Sequence, residues 1–233
     1  MKEALIKVKH LVKNYQSGHI VTKVLKNLTF DVHEGEFLSV IGPSGSGKST
    51  LLYQLSLLDR PTSGSIHYGK ICVTELGSKE RTALRLNYLG YVFQEYALLP
   101  DLTAIENVMV PNIMRGFGKA AAKEMAKAAL EKLNVGHRLD NLPGQLSGGE
   151  QQRVSIARAI AHTPAILFAD EPTANLDTEN SDQVMDAFLD LHYHGQTIVM
   201  VNHEQEYAKI GDRIMHLLDG SIEAFEISHH KKR

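Results

Sequence analysis

Eight consecutive residues, Gly42-Pro43-Ser44-Gly45-Ser46-Gly47-Lys48-Ser49, constrain this chain more tightly than any others. They follow a largely apolar run, Phe37 to Ile41, that suits a strand buried on both faces of a parallel sheet. They open a segment, Lys48 to about Leu58, that reads as a helix stopped ahead of Arg60-Pro61. In that setting the spacing G-x-x-x-x-G-K-S has a physical meaning. The glycines let the backbone turn tightly with its N–H groups pointing inward, and the helix behind them adds the positive end of its dipole. Phosphate oxygens fit such a nest. Lys48 is placed to reach the β- and γ-phosphates of a nucleotide, and the Ser49 hydroxyl to ligate Mg²⁺. The plainer alternative is a glycine turn with a solvated lysine.

Two further stretches carry chemistry. Ala165 to Ala169 is another buried-strand run, and it ends in Asp170-Glu171-Pro172. An aspartate at the end of such a strand sits at the ligand-binding edge of an open α/β sheet, where it can ligate Mg²⁺. Glu171 points elsewhere and is suited to accept a proton from an attacking water. Alternatively the acidic pair serves a helix N-terminus. Leu146-Ser147-Gly148-Gly149-Glu150-Gln151-Gln152-Arg153 precedes the apolar-periodic helix Val154 to Ala161. Ser147 and Glu150 have capping-box spacing, so a well-capped helix is one reading. Gly148-Gly149 is more glycine than a cap needs, and it leaves backbone amides open to an anion.

The remaining chain arranges these motifs. Leu28 to Val32 alternates as a half-buried strand, Leu89 to Phe93 reads as a short strand, and Thr197 to Val201 as a buried one. A helix of about Asn180 to His192 between two buried strands implies a right-handed parallel crossover. Asp219-Gly220 marks a hairpin turn. Alanine-rich Lys119 to Leu133 is helical. It makes about 95–141 an inserted helical lobe of a single domain, with 1–94 and 142–233 as the core. The composition, 43% hydrophobic and 22% charged, is that of a soluble globular chain. A net charge of -2 supplies no basic field for nucleic acid, and Lys231-Lys232-Arg233 reads as a solvated tail. Cys72 is the only cysteine, which excludes a disulfide framework. No apolar run approaches the roughly 20 residues of a membrane span. Charge interrupts Met1 to Lys7, so neither a signal peptide nor direct membrane insertion is expected.

With these motifs in this order, the chain resembles the ATP-binding-cassette (ABC) ATPases over essentially its whole length. The resemblance implies an α/β fold of P-loop NTPase type: a mixed sheet core, an N-terminal antiparallel β subdomain and an inserted α-helical subdomain. It implies ATP and Mg²⁺ as cofactors. Tyr15 resembles the family's adenine-stacking aromatic, beside the plain reading of a strand-end tyrosine. Thr50 joins Gly42 to Ser49 around the phosphates. Gln94 resembles the glutamine that contacts Mg²⁺ and the attacking water, so Ser49, Gln94 and Asp170 form the implied metal set. Ala174-Asn175-Leu176-Asp177 resembles the loop that joins two subunits' sites. His203 resembles the switch histidine at the γ-phosphate, although Asn202 and Glu204 depart from the residues that commonly flank it. Ser147, Gly148, Gly149, Glu150 and Asp177 would meet nucleotide across a head-to-tail homodimer that closes around two ATPs. Lys48, Gln94, Glu171 and His203 are the implied catalytic set.

Tyr91 to Pro100, Leu102 to Val108 and Leu58 to Gly64 look closest to one branch of the family. It contains the ATPases of lipoprotein release, macrolide export and the cell-division transporter-like complex. This implies an integral membrane permease as partner and a cytoplasmic position on the inner face of the cell membrane. It implies a role in a transporter or in a mechanotransmission complex, with export of a lipoprotein or lipophilic compound as one form of that work. Tyr96, Leu98 and Leu99 line a groove for a permease helix on this reading, or else belong to the core of the helical lobe. A soluble ABC ATPase of DNA repair or translation would carry long coiled coils, a second cassette or a basic stripe. A nucleotide-binding regulator without turnover would have no need of Glu171 and His203.

Overall fold

The computed structural model describes residues 4–228; residues 1–3 and 229–233, with the cationic run Lys231 to Arg233, lie outside the described residues. The chain forms two compact units, 1–82 with 194–233, and 83–193. From the N-terminus the first unit contains β1 (Ala4–Ser17), β2 (Ile20–His33), β3 (Phe37–Ile41), α1 (Lys48–Leu55), β4 (Ser63–Tyr68) and β5 (Ile71–Cys72). α2 (Ser78–Tyr88) ends that segment and opens the second unit. The second unit continues with β6 (Leu89–Val92), α3 (Ala104–Met114), α4 (Lys119–Lys132), α5 (Gly148–Ile160), β7 (Ile166–Asp170) and α6 (Thr178–Tyr193). The chain then returns to the first unit with β8 (Thr197–Val201), α7 (Gln205–Ala208), β9 (Arg213–Leu218) and β10 (Ser221–Ile227).

Two sheet regions build the first unit. One is antiparallel, in the order β2-β1-β4-β5. It buries alternate residues such as Ile6 and Val8 or Leu28, Phe30 and Val32, the period of a sheet with one dry face. In the other, β3 lies between β8 and β9, parallel to both, and β10 runs antiparallel beyond β9. Every residue of β3 and β8 is buried, as their apolar runs require. Asp219 and Gly220 both take left-handed φ, 44° and 75°, and make the expected hairpin turn.

The end of α1 differs from expectation. The helix closes at Leu55 rather than about Leu58, so Pro61 does not stop it. Leu57 turns left-handed with φ 63°, buries its side chain, and has its carbonyl held by Arg81 Nη2 at 2.9 Å. A tertiary anchor ends this helix.

In the second unit β6 and β7 pair in parallel. α4 turns a stripe of small residues inward, Ala122, Ala126 and Ala129 with Leu130, and packs on α3 and α5. Thr103 opens α3 with a capping box: its backbone N–H donates to Glu106 Oε2 at 2.9 Å. No helix among the described residues is long and apolar enough to cross a membrane.

Candidate functional site

In the first unit the loop after β3 has the geometry its glycines call for. Gly45 and Gly47 have φ of 79° and 100°. A β-carbon on Gly47 would also meet Leu25 Cδ2 at 2.9 Å and the Val24 carbonyl at 3.0 Å. Gly47 is the N-cap of α1, so no side chain caps the helix, and no acidic residue stands in its first turn. No capping side chain therefore competes with a ligand for the first-turn amides. Ser46 is 3% exposed and its Oγ has no hydrogen-bond partner. Lys48, also buried, turns its ammonium onto the carbonyls of Gly42 and Pro43 at 2.9 and 3.1 Å. A desolvated cation, an unmatched buried hydroxyl and uncapped helix amides form a donor set that fits a polyphosphate. The β9–β10 turn braces the loop: Gly220 N–H donates to the Ser46 carbonyl at 3.0 Å, and Lys26 N–H to the Gly220 carbonyl at 2.7 Å.

His203 follows β8 and shares a cleft of about 460 Å³ with Gly42, Pro43 and His216. Beside it Asn202 is 2% exposed, and neither atom of its side-chain amide has a partner. The departure at this position thus brings an unmatched buried amide next to the histidine. Tyr15, on β1, is 42% exposed; its hydroxyl donates to Asp59 Oδ2 at 2.9 Å and also hydrogen-bonds the Thr50 side chain.

In the second unit Asp170 ends β7, 5% exposed, with the Tyr91 hydroxyl 3.4 Å from Oδ2. Glu171 adopts a left-handed φ of 46°, a conformation that costs a non-glycine residue on the order of 1–3 kcal/mol. Gln94 is exposed, and its carbonyl accepts from Asn175 Nδ2 at 3.3 Å, which ties two of the expected loops together. At the start of α5 Ser147 N–H donates to Glu150 Oε2 at 2.8 Å, and Glu150 N–H to Ser147 Oγ at 3.2 Å. Arg138 Nε reaches Glu150 Oε1 at 2.8 Å. Burial pushes the Glu150 carboxyl up, but the Ser147 amide and the Arg138 guanidinium outweigh it and hold the pKa at about 2. Gly149 has a packing reason the sequence did not offer: a β-carbon there would collide with the side-chain amide of Asn180. Asp177 fixes that amide, accepting Asn180 Nδ2 at 3.0 Å and Asn180 N–H at 2.8 Å.

Two residues that sequence reasoning passed over hold the loop after Gln94. Tyr96 and Ala97 are both left-handed, with φ of 59° and 50°. Arg158 donates to their carbonyls at 3.0 and 2.5 Å. Asn107, fully buried, accepts Leu99 N–H at 2.7 Å and donates to the carbonyls of Leu99, Leu102 and Thr103. Tyr96 and Leu98 are half-buried and Leu99 is 47% exposed, so none of the three is a core residue. The Thr103-x-x-Glu106 box was the signal in the sequence that a helix starts here, with Asn107 just inside it. The expected site residues thus fall into two groups. Tyr15, Gly42 to Thr50 and His203 lie in the first unit; Gln94, Ser147 to Glu150, Asp170, Glu171 and Asp177 lie in the second.

Fold and loop together define a nucleotide-binding α/β protein, and comparison with known proteins gives its family. The model of the ABC transporter family matches residues 25–174. The lipoprotein-releasing system ATP-binding protein LolD of Aquifex aeolicus is 47% identical over 215 residues, which cover 92% of this chain and 93% of LolD. The macrolide export ATP-binding/permease protein MacB of Paracoccus denitrificans is 44% identical over 220 residues, 94% of this chain but 33% of MacB. A dimeric post-hydrolysis structure of the ATP-binding cassette MJ0796 of Methanocaldococcus jannaschii, bound to ADP and Pi, superposes with a TM-score of 0.89. It is 38% identical and covers 96% of this chain and 99% of that one. The chain belongs to the ABC transporter family as one of its ATP-binding subunits, in the branch its sequence implied.

Proposed function

We propose that two copies of this chain close head to tail around two Mg-ATP molecules, hydrolyse them, and so drive a separate membrane permease. The observation that carries this reading is the donor set after β3: buried Lys48, the unmatched Ser46 hydroxyl and the uncapped amides of α1. There Lys48 and the loop amides neutralise charge that develops on the γ-phosphoryl oxygens. Mg²⁺, when bound, adds to that neutralisation, and Ser49, Gln94 and Asp170 are its proposed holders. Glu171 accepts a proton from the attacking water, and His203 fixes the geometry at the γ-phosphate. Within its cap the Ser147 hydroxyl accepts the Glu150 N–H and also hydrogen-bonds the Glu150 carboxylate, which fixes its direction. With the glycine amides beside it, it faces the nucleotide held by the other copy.

Residues 95–141 act as the helical subdomain, and the latched loop carrying Tyr96, Leu98 and Leu99 docks the permease. LolD is named for lipoprotein release and MacB for macrolide export with a permease in the same chain. By that likeness the cargo here is a lipoprotein or lipophilic compound, and the chain works at the inner face of the cell membrane. Phosphate release from Mg-ATP by the purified chain tests the chemistry. Lys48→Ala is expected to abolish it; turnover that survives in Lys48→Ala would refute the reading.

A further inference from the structure

Tyr15 is held more firmly than exposure at a strand end would require. Lys13, 9% exposed, places its ammonium 4.6 Å from the centroid of the Tyr15 ring. The same ammonium pairs with Asp59 Oδ2 at 2.7 Å and donates to the Arg60 carbonyl at 2.7 Å. Asp59 Oδ2 also accepts the Tyr15 hydroxyl at 2.9 Å and Gln54 Nε2 at 3.1 Å, while Oδ1 accepts Arg60 N–H at 2.7 Å. One carboxylate therefore grips both the cation over the ring and the hydroxyl at its edge. Burial pushes the Asp59 carboxyl up, but hydrogen bonds from Lys13, the Arg60 amide, Tyr15 and Gln54 outweigh it and hold it at about 2. Burial and the Asp59 charge push the Tyr15 hydroxyl up, so it stays a donor.

The network reaches the phosphate loop through α1. Gln54 lies on that helix, and Thr50, which hydrogen-bonds the Tyr15 hydroxyl, is in its first turn. The ring is thus fixed to the element whose N-terminus forms the anion nest. Lys13 covers one face, and because Tyr15 is 42% exposed a base would stack on the other. A cation against one face draws π density away and makes the other face a better partner for an electron-rich purine. None of Lys13, Gln54 and Asp59 belongs to a phosphate-contacting motif.

We propose that Asp59 is a positioning residue which, through Lys13 and the Tyr15 hydroxyl, presets the Tyr15 ring as a platform for the purine base. The proposal rests on the reading of Tyr15 as the base-stacking aromatic. It makes a separable claim: Asp59 governs the affinity contributed by the base and leaves the affinity contributed by the phosphates alone.

The experiment compares binding of ATP and of inorganic tripolyphosphate, both with Mg²⁺, to the full chain and to Tyr15→Ala, Tyr15→Phe and Asp59→Asn. Tyr15→Ala is expected to reduce the preference for ATP over tripolyphosphate about tenfold, the scale of one base–aromatic stack. Tyr15→Phe and Asp59→Asn are each expected to reduce it about threefold, with the tripolyphosphate affinity unchanged. Their double variant should lose less than the sum of the two single effects, since both remove the Tyr15–Asp59 hydrogen bond. In Asp59→Asn the KM for ATP should rise while kcat holds. A lowered preference in Tyr15→Ala with none in Tyr15→Phe or Asp59→Asn would overturn the role of Asp59 and leave the platform standing. An unchanged preference in Tyr15→Ala would remove the platform and the proposal together. Parallel loss of ATP and tripolyphosphate affinity in Asp59→Asn would show a merely structural carboxylate and overturn it as well.

Discussion

At the scale of single residues, the left-handed backbone of Glu171 stands directly after the strand that delivers Asp170. A strained φ fixes the direction of a side chain because few alternatives are open to it. Glu171→Gln keeps that shape and removes the capacity to take a proton. Turnover is expected to fall by about 10²–10⁴-fold while ATP binding persists, so that the variant accumulates as a dimer in Mg-ATP on gel filtration. Near-normal turnover would sink the general-base role. Glu150 supports a second expectation. Its folded pKa of about 2 lies below the ordinary 4.5, so its contribution to stability is full above about pH 4.5 and is lost as the pH falls toward 2. Thermal unfolding should show the native chain losing its advantage over Glu150→Gln across that window. An advantage that does not change with pH would count against the ion pair with Arg138.

At the scale of elements, the segment after Gln94 is a loop without regular backbone pairing, held by Arg158 at one end and Asn107 at the other. Asn107→Ala would leave one part-buried donor, the Leu99 N–H, and three carbonyls without that partner, and is expected to cost about 2 kcal/mol of stability by chemical denaturation. A change below about 0.5 kcal/mol would show that water replaces the amide. Tyr96→Ser with Leu98→Ser should act differently, because neither residue is buried. The melting temperature and ATP binding should hold while co-purification with the membrane subunit and stimulation by it are lost. Unchanged co-purification would reject the docking loop. This contrast also shows what a sequence can reveal. Gly42 to Ser49, Ser147 to Glu150 and the Asp219-Gly220 turn were legible because each is a local pattern whose geometry depends on neighbours in the chain. The latches were not: Arg158 looks like an ordinary helical residue until the fold brings the distant carbonyls of Tyr96 and Ala97 to it, and Asn107 looks like any polar residue in a first helical turn although its partners are near in the chain. The early end of α1 was hidden for the same reason: Arg81 holds Leu57, and no local breaker marks the spot.

At the scale of the whole molecule, the head-to-tail arrangement predicts that lesions in different motifs complement each other. A Lys48→Ala chain and a Ser147→Arg chain are each expected to be inactive. Mixed, they form dimers in which one composite site carries both lesions and the other carries neither, so some ATP-driven dimerisation or activity should return. Ser147→Arg chains that dimerise as well as the native chain would show that Ser147 does not face nucleotide across the interface. The brace on the phosphate loop has a consequence for how such a chain is made. Ser46 depends on Gly220, and β3 depends on β8 and β9 for its neighbours, yet these partners are translated long afterwards. During synthesis the glycine loop leaves the ribosome well before the turn that steadies it, and Phe37 to Ile41 waits as an apolar strand with open edges. The ability to hold a triphosphate is therefore among the last properties the growing chain acquires, and the interval before it is when the chain most needs protection from aggregation.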